Sequence, residues 1–125
     1  MPESARNVQS SQPMVRRFFH QVTYGATGAI SSQSSGSGIT HARTAAGRYT
    51  ATFDPVPNGM LGAGMLADSQ GTATGTQLEI FTPYSNSDGT FVFSTVVATS
   101  ETDPTSGNVH WYWYDMQMTD AGVSL

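Results

Sequence analysis

The chain has 125 residues with five Arg, no Lys and nine Asp plus Glu, so its net charge is −4 and 11% of its residues are charged; an ordinary globular domain is about 25% charged. The absence of a basic surplus argues against nucleic-acid binding, which needs cations to meet phosphates. No run of 18 apolar residues is present to cross a membrane, the opening Met1-Pro2-Glu3-Ser4 lacks the plan of a signal peptide, and without Cys there are no disulfides or thiolate metal sites.

The charges are unevenly placed. Residues 1–50 carry Arg6, Arg16, Arg17, Arg43 and Arg48 against Glu3, and all the other acids follow with no base among them. Polarity comes instead from 15 Ser, 16 Thr and 13 Gly. A chain of this length forms one domain and can bury a useful core.

In chain order, residues 1–15 are polar, with Pro2 and Pro13 and no periodicity, and read as a flexible arm. The arm is taken to residue 17 and the folded domain from 18 to 125. From Phe18 the pattern has a period of two, with Phe18, His20, Val22 and Tyr24 alternating against Phe19, Gln21 and Thr23. Residues 25–38 (GATGAISSQSSGSG) form a Gly/Ser-rich loop or a short edge strand. Residues 39–54 read as strand, a turn at Ala45, Ala46 and Gly47, and a second strand with Tyr49, Ala51 and Phe53 on one face. Pro55 and Pro57 stop the pairing, since neither can donate to a ladder.

Residues 58–75 place Met60, Leu61, Met65 and Leu66 at helix-like spacing, but their glycines argue for a kinked strand or packed loop. Residues 77–82 (QLEIFT) make a strand closed by Pro83. Asn86, Ser87, Asp88 and Gly89 are a turn. Residues 90–99 (TFVFSTVVAT) are the most β-prone run, residues 101–108 a long hairpin loop, and residues 109–118 (VHWYWYDMQM) the last strand. Seven or eight strands and no helix predict an all-β fold, a single antiparallel β-sandwich or jelly roll.

Both faces of the last strand are aromatic. Trp111 and Trp113 alternate with Tyr112 and Tyr114, whereas a half-solvated strand alternates apolar with polar. One face makes the core, and the other needs cover from the same chain, a second subunit or a ligand. These four residues are therefore the candidate subunit interface or ligand platform. The low charge favours association, and Arg suits interface pairs better than Lys.

Catalytic signals are missing, and the chain reads as a non-enzyme. Residues 62–67 (GAGMLA) match a dinucleotide-turn fragment without its βαβ setting. His20, His41 and His110 are far apart in sequence and read as strand histidines with polar partners. Asp88, Glu101 and Asp103 are adjacent loop acids that turn chemistry explains as well as calcium does. No metal site or cofactor is expected.

Residues 38–53 (GITHARTAAGRYTATF) resemble a pattern in small bacteriophage virion proteins, the head-decoration (cement) proteins and tail-fibre tips. There an Arg-Thr-x-x-Gly-x-Tyr turn joins two strands, the second ending in Phe. Residues 89–93 and 107–111 look like the paired C-terminal strands of the same proteins. The resemblance implies a trimeric β-sandwich on a virus particle, made in the host cytoplasm, with Arg43, Gly47, Tyr49 and Phe53 shaping the hairpin. The function expected is that of a capsid decoration protein: a homotrimer bound to the major capsid protein on the outer lattice and stabilising it. Arg6, Arg16 and Arg17 of the arm would contact coat or a neighbouring copy, and the charge split has the basic arm and hairpin facing the acidic body of a neighbouring copy. The alternative is a tail-fibre tip, a receptor-binding or carbohydrate-binding module, with the Trp/Tyr run as a platform for glycan.

Overall fold

A computed structural model describes residues 14–68 and 75–118. Its strands are β1 (Val15–Tyr24), β2 (Ile30–Gln33), β3 (Ile39–Ala45), β4 (Arg48–Phe53), β5 (Gly59–Asp68), β6 (Gln77–Ser85), β7 (Thr90–Val97), β8 (Ser100–Glu101) and β9 (Val109–Gln117), with one 3-10 turn at Ala26–Gly28. They form two antiparallel sheets. Sheet one has the order β2-β1-β9-β5, and sheet two the order β3-β4-β7-β6 with β8 beside β7. Consecutive strands pair within a sheet at β1–β2, β3–β4 and β6–β7, so the architecture is a sandwich built from hairpins.

The period-two pattern of β1 sends Phe18, His20, Val22 and Tyr24 inward, where all four are buried. Tyr49, Ala51 and Phe53 of β4 meet them from sheet two, as do Phe91 and Phe93 of β7. The glycine-rich segment forms a strand, β5, with a register irregularity between Met60 and Gly62. The dinucleotide-like residues 62–67 lie inside that strand, so they cannot make the strand-to-helix turn such a fingerprint needs.

Four expectations are corrected. The arm does not extend to residue 17, because β1 begins at Val15 and holds Arg16 and Arg17 within the sheet; residues 1–13, with Arg6, lie outside the described residues. Pro83 does not close β6, which runs on to Ser85 with its register shifted between Thr82 and Ser85; an edge strand tolerates a residue without an N–H. The β7 and β9 segments are not a hairpin. They belong to different sheets and face each other across the core, so residues 101–108 carry the chain between sheets. Tyr112 and Tyr114 are not surface residues: both are fully buried.

The interior is aromatic with polar tips. The Tyr24 and Tyr112 hydroxyls are 2.6 Å apart, Tyr114 meets His41 Nε2 at 3.0 Å, and Tyr112 meets His110 Nδ1 at 3.1 Å. The His20 and His41 rings lie 4.7 Å centroid to centroid. The three histidines that are distant in sequence are therefore all buried together. Among the described residues no Asp or Glu is buried with them.

Burial lowers the pKa of all three imidazoles. It pushes His110 down to about 4 and holds His41 well below its ordinary range, with the fields of His20 and His110 adding to the effect on His41; burial also lowers His20, against the opposing Gln33 hydrogen bond. The unfolded chain binds protons near pH 6.5 that the folded chain refuses, so stability is complete above that value and is lost as pH falls toward 4. Thermal scans should show a plateau above about pH 7 and a falling Tm from about pH 6.5 downward. Each proton taken up adds a slope of about 1.4 kcal/mol per pH unit. A constant Tm between pH 7 and 4.5 contradicts this account.

Candidate functional site

Residues paired across antiparallel strands point to the same side of a sheet, so the register of sheet one defines its outer face. One row holds Phe19, Trp113 and Gly64; the next holds Gln21, Trp111 and Leu66; the row on the other side holds Arg17, Asp115 and Gly62. Phe19 is 65% exposed, Leu66 61% and Trp111 39%. A groove of about 380 Å³ lies among Phe19, Gln21, Ser34, Leu66, Trp111 and Trp113.

Gly64 shapes this groove. A Cβ there would collide with Cε2, Cζ2 and Nε1 of Trp113. All three atoms crowd one point, so the indole lies face-down across the glycine backbone and turns its other face outward. Beside it, Arg17 donates from Nε to Asp115 Oδ1 at 2.6 Å and from Nη2 to Oδ2 at 2.9 Å. That pairing holds the Asp115 carboxyl below the usual range. The expected Trp/Tyr platform thus divides: Trp111 and Trp113 line it, while Tyr112 and Tyr114 build the core. Sequence reading missed Phe19, Leu66 and Gly64; the period-two pattern of β1 did place Phe19 opposite Phe18.

A second apolar feature lies where the two sheets meet along β5 and β6. Met60, Leu61, Gly62, Ala63, Leu78 and Ile80 line a slit of about 230 Å³, with Leu61 and Ile80 exposed along it. One end is tied by Tyr84, whose hydroxyl donates to the Pro57 carbonyl at 2.6 Å, and by Asn86, which donates to the Asn58 carbonyl.

The hairpin residues act on the loops around them. Arg43 donates to both oxygens of Asp103, at 3.1 and 2.9 Å, and the Gly47 N–H donates to the same carboxylate at 2.7 Å. Burial pushes the Asp103 carboxyl up, but these donors together hold it below its ordinary value. Arg48 forms a two-pronged pair with Glu101, which also accepts from Ser94, and its guanidinium lies 3.6 Å over the Phe81 ring. Tyr49 donates to the Gly28 carbonyl at 2.7 Å, and Phe53 sits in the core.

Three of the five arginines are thus satisfied within one chain. Arg16 lies over the Phe18 ring at 4.5 Å. The expected pairing of a basic hairpin with the acidic body of a neighbouring copy is corrected accordingly: Arg43 and Arg48 neutralise acids of their own chain. Glu101 and Asp103 are taken up by these pairs and do not gather with Asp88, whose carboxylate accepts from Thr90. Among the described residues no three of His, Asp and Glu are placed to hold a metal ion. No protein-family model, no curated protein and no solved structure matches the chain.

Gly47 offers a test of the clamp. Its φ is +68°, and a Cβ would strike Thr102 N and Glu101 C, whereas Gly36 has φ +75° with open space around it. Gly36→Ala should cost only the left-handed penalty of about 1–2 kcal/mol. Gly47→Ala should cost clearly more in urea denaturation, because the 100–108 connection must also move. Equal losses would show that the contact with this loop contributes nothing.

Proposed function

We propose that the chain is a non-enzymatic surface protein of a bacteriophage particle, a capsid decoration protein that associates with itself as a homotrimer and stabilises the coat lattice. The observation that supports it is the uncovered β5–β6 side of the sandwich. Folded monomers blunt their edge strands with Lys, Pro, bulges or covering segments. Here β5 runs ten residues with Asp68 as its one charged side chain, and β6 has Glu79 alone. Pro83 and the register shifts protect one end of β6, and the irregularity at Leu61 interrupts β5, but the stretch from Gly62 to Leu66 has no such device.

Covering this edge with a second copy would bury Leu61 and Ile80 together, which is the expected gain from association. Several copies on one lattice then multiply weak contacts with the coat. Whatever binds only the assembled shell raises its stability by linkage. The resemblance of residues 38–53 to phage virion proteins supports the setting. A receptor-binding tip is the second reading, supported by the Trp111–Trp113 groove on the outer face of sheet one.

Native mass spectrometry should give three times the 13.3 kDa chain mass, and the protein should co-sediment with shells of the major capsid protein. Leu61→Lys and Ile80→Glu change exposed edge positions, so each should yield a folded monomer with unchanged far-UV circular dichroism and at least tenfold weaker shell binding. A wild-type monomer that leaves shells unbound overturns the proposal.

A further inference from the structure

The outer face of sheet one has three properties that together narrow what it accepts. The first is a flat aromatic surface. Trp113 lies face-down over Gly64 and stays half-buried, with Phe19 on one side and Trp111 in the neighbouring row. A ring laid flat presents a π-face to whatever settles on it, rather than a slot between two upright rings.

The second property is a polar edge at fixed spacing. Trp111, Trp113 and Asp115 point the same way along β9, so they recur every two residues, about 6.6–6.8 Å apart. The Arg17–Asp115 pair at one end supplies N–H donors and carboxylate acceptors side by side. Gln21 and Ser34 border the other end of the groove. Gly62 and Gly64 leave the β5 flank of this track without side chains.

The third property is electrical neutrality. The Arg17 and Asp115 charges at one end of the track are paired with each other, and no Asp, Glu, Lys or Arg lines the groove itself, with Asp68 one row beyond Trp111, so the groove favours neither sign of ligand charge. A complementary ligand is uncharged, has flat apolar faces, and carries hydroxyl groups around its rim.

We propose that this track is a binding site for a neutral oligosaccharide. One pyranose stacks its C–H face on the outward side of Trp113, the next sugar lies toward Trp111 and Leu66, and hydroxyls at the other end exchange hydrogen bonds with the Arg17–Asp115 pair. A proline-rich peptide is the competing occupant, because such peptides dock in aromatic-lined grooves. Those grooves grip prolines between raised rings, and the flattened indole over Gly64 removes that ridge. The site rests on the function above only in that association through the β5–β6 edge leaves this face open.

The chain's two tryptophans, Trp111 and Trp113, both lie at the site, so their fluorescence reports occupancy directly. Titration with soluble neutral trisaccharides of glucose, galactose, mannose and N-acetylglucosamine should shift or quench the emission for at least one of them at millimolar concentration or below. Sulfated counterparts should bind no better. Trp113→Ala should weaken binding at least about tenfold, followed by isothermal calorimetry. Gly64→Val should do the same by lifting the indole off the sheet, and Asp115→Asn should weaken it less. The Gly64 substitution points outward from the core, so an unchanged Tm separates lost binding from lost folding.

Leu61→Lys, which breaks the proposed association, should bind sugar like the wild type, so failure of one proposal is distinguishable from failure of the other. Absence of any response to all four trisaccharides overturns the assignment. So does binding that survives both Trp113→Ala and Gly64→Val, or a response to a proline-rich peptide in place of the sugars.

Discussion

Gln33 holds the two sheets together on one side of the sandwich. Its amide lies along the backbone of His41, accepting the His41 N–H at Oε1 (2.8 Å) and donating from Nε2 to the His41 carbonyl (3.1 Å). A side chain thus supplies the pair of bonds that a neighbouring strand would otherwise make. Backbone polarity fixes which end of the amide faces which group. Oε1 is therefore the atom 2.7 Å from His20 Nε2, and because it can only accept, His20 carries its proton on Nε2. In the neutral ring Nδ1 is then the acceptor, and Ser37 Oγ donates to it across 2.7 Å. One glutamine sets the tautomer of His20 and joins β2 of sheet one to β3 of sheet two.

Burial of His41 depends on that arrangement. Its Nε2 has the Tyr114 hydroxyl, while its Nδ1 is buried without a hydrogen-bond partner among the described residues. His20 beside it penalises any second positive charge. The interior is thereby held neutral by geometry as much as by composition. It is an interior of interlocking rings with hydroxyl and imidazole tips, intolerant of charge because among the described residues no buried acid can compensate one.

Strand positions and inward faces were legible because period two is a local property: β1 and β4 show it in four and three successive core residues. Pairing was not legible, since it depends on which distant segments meet. The β7 and β9 sequences look alike, and nothing within either says that they lie in opposite sheets. The same holds for charge. Arg17 and Asp115 are 98 positions apart and Arg43 and Asp103 are 60 apart, so the split between an Arg-rich first part and an acidic remainder suggested two bodies where a single chain folds its charges onto each other. Trp113 had a visible signal, but its orientation comes from Gly64, a glycine that sequence alone presents as a weakness in a strand.

The two sheets leave their surfaces unequally finished. On sheet two, β8, Arg48 and Glu101 cover the outward side of β7, so that Ser94 and Val96 are buried although they point away from the core. Nothing in the described chain covers the outer face of sheet one in the same manner, and the β5–β6 seam has no counterpart to Gln33 along most of its length. A chain that spends two arginine clamps on one loop and a glutamine on one seam has the means to close its other surfaces. Exposed Phe19, Leu66 and Trp111 on the face, and Leu61 and Ile80 at the seam, are therefore better explained as contact surfaces than as incomplete packing. The difference between them is chemical. The seam is apolar with bare edges, which suits another strand, whereas the face joins a flat indole to a neutralised ion pair, which suits a hydroxyl-rich ring.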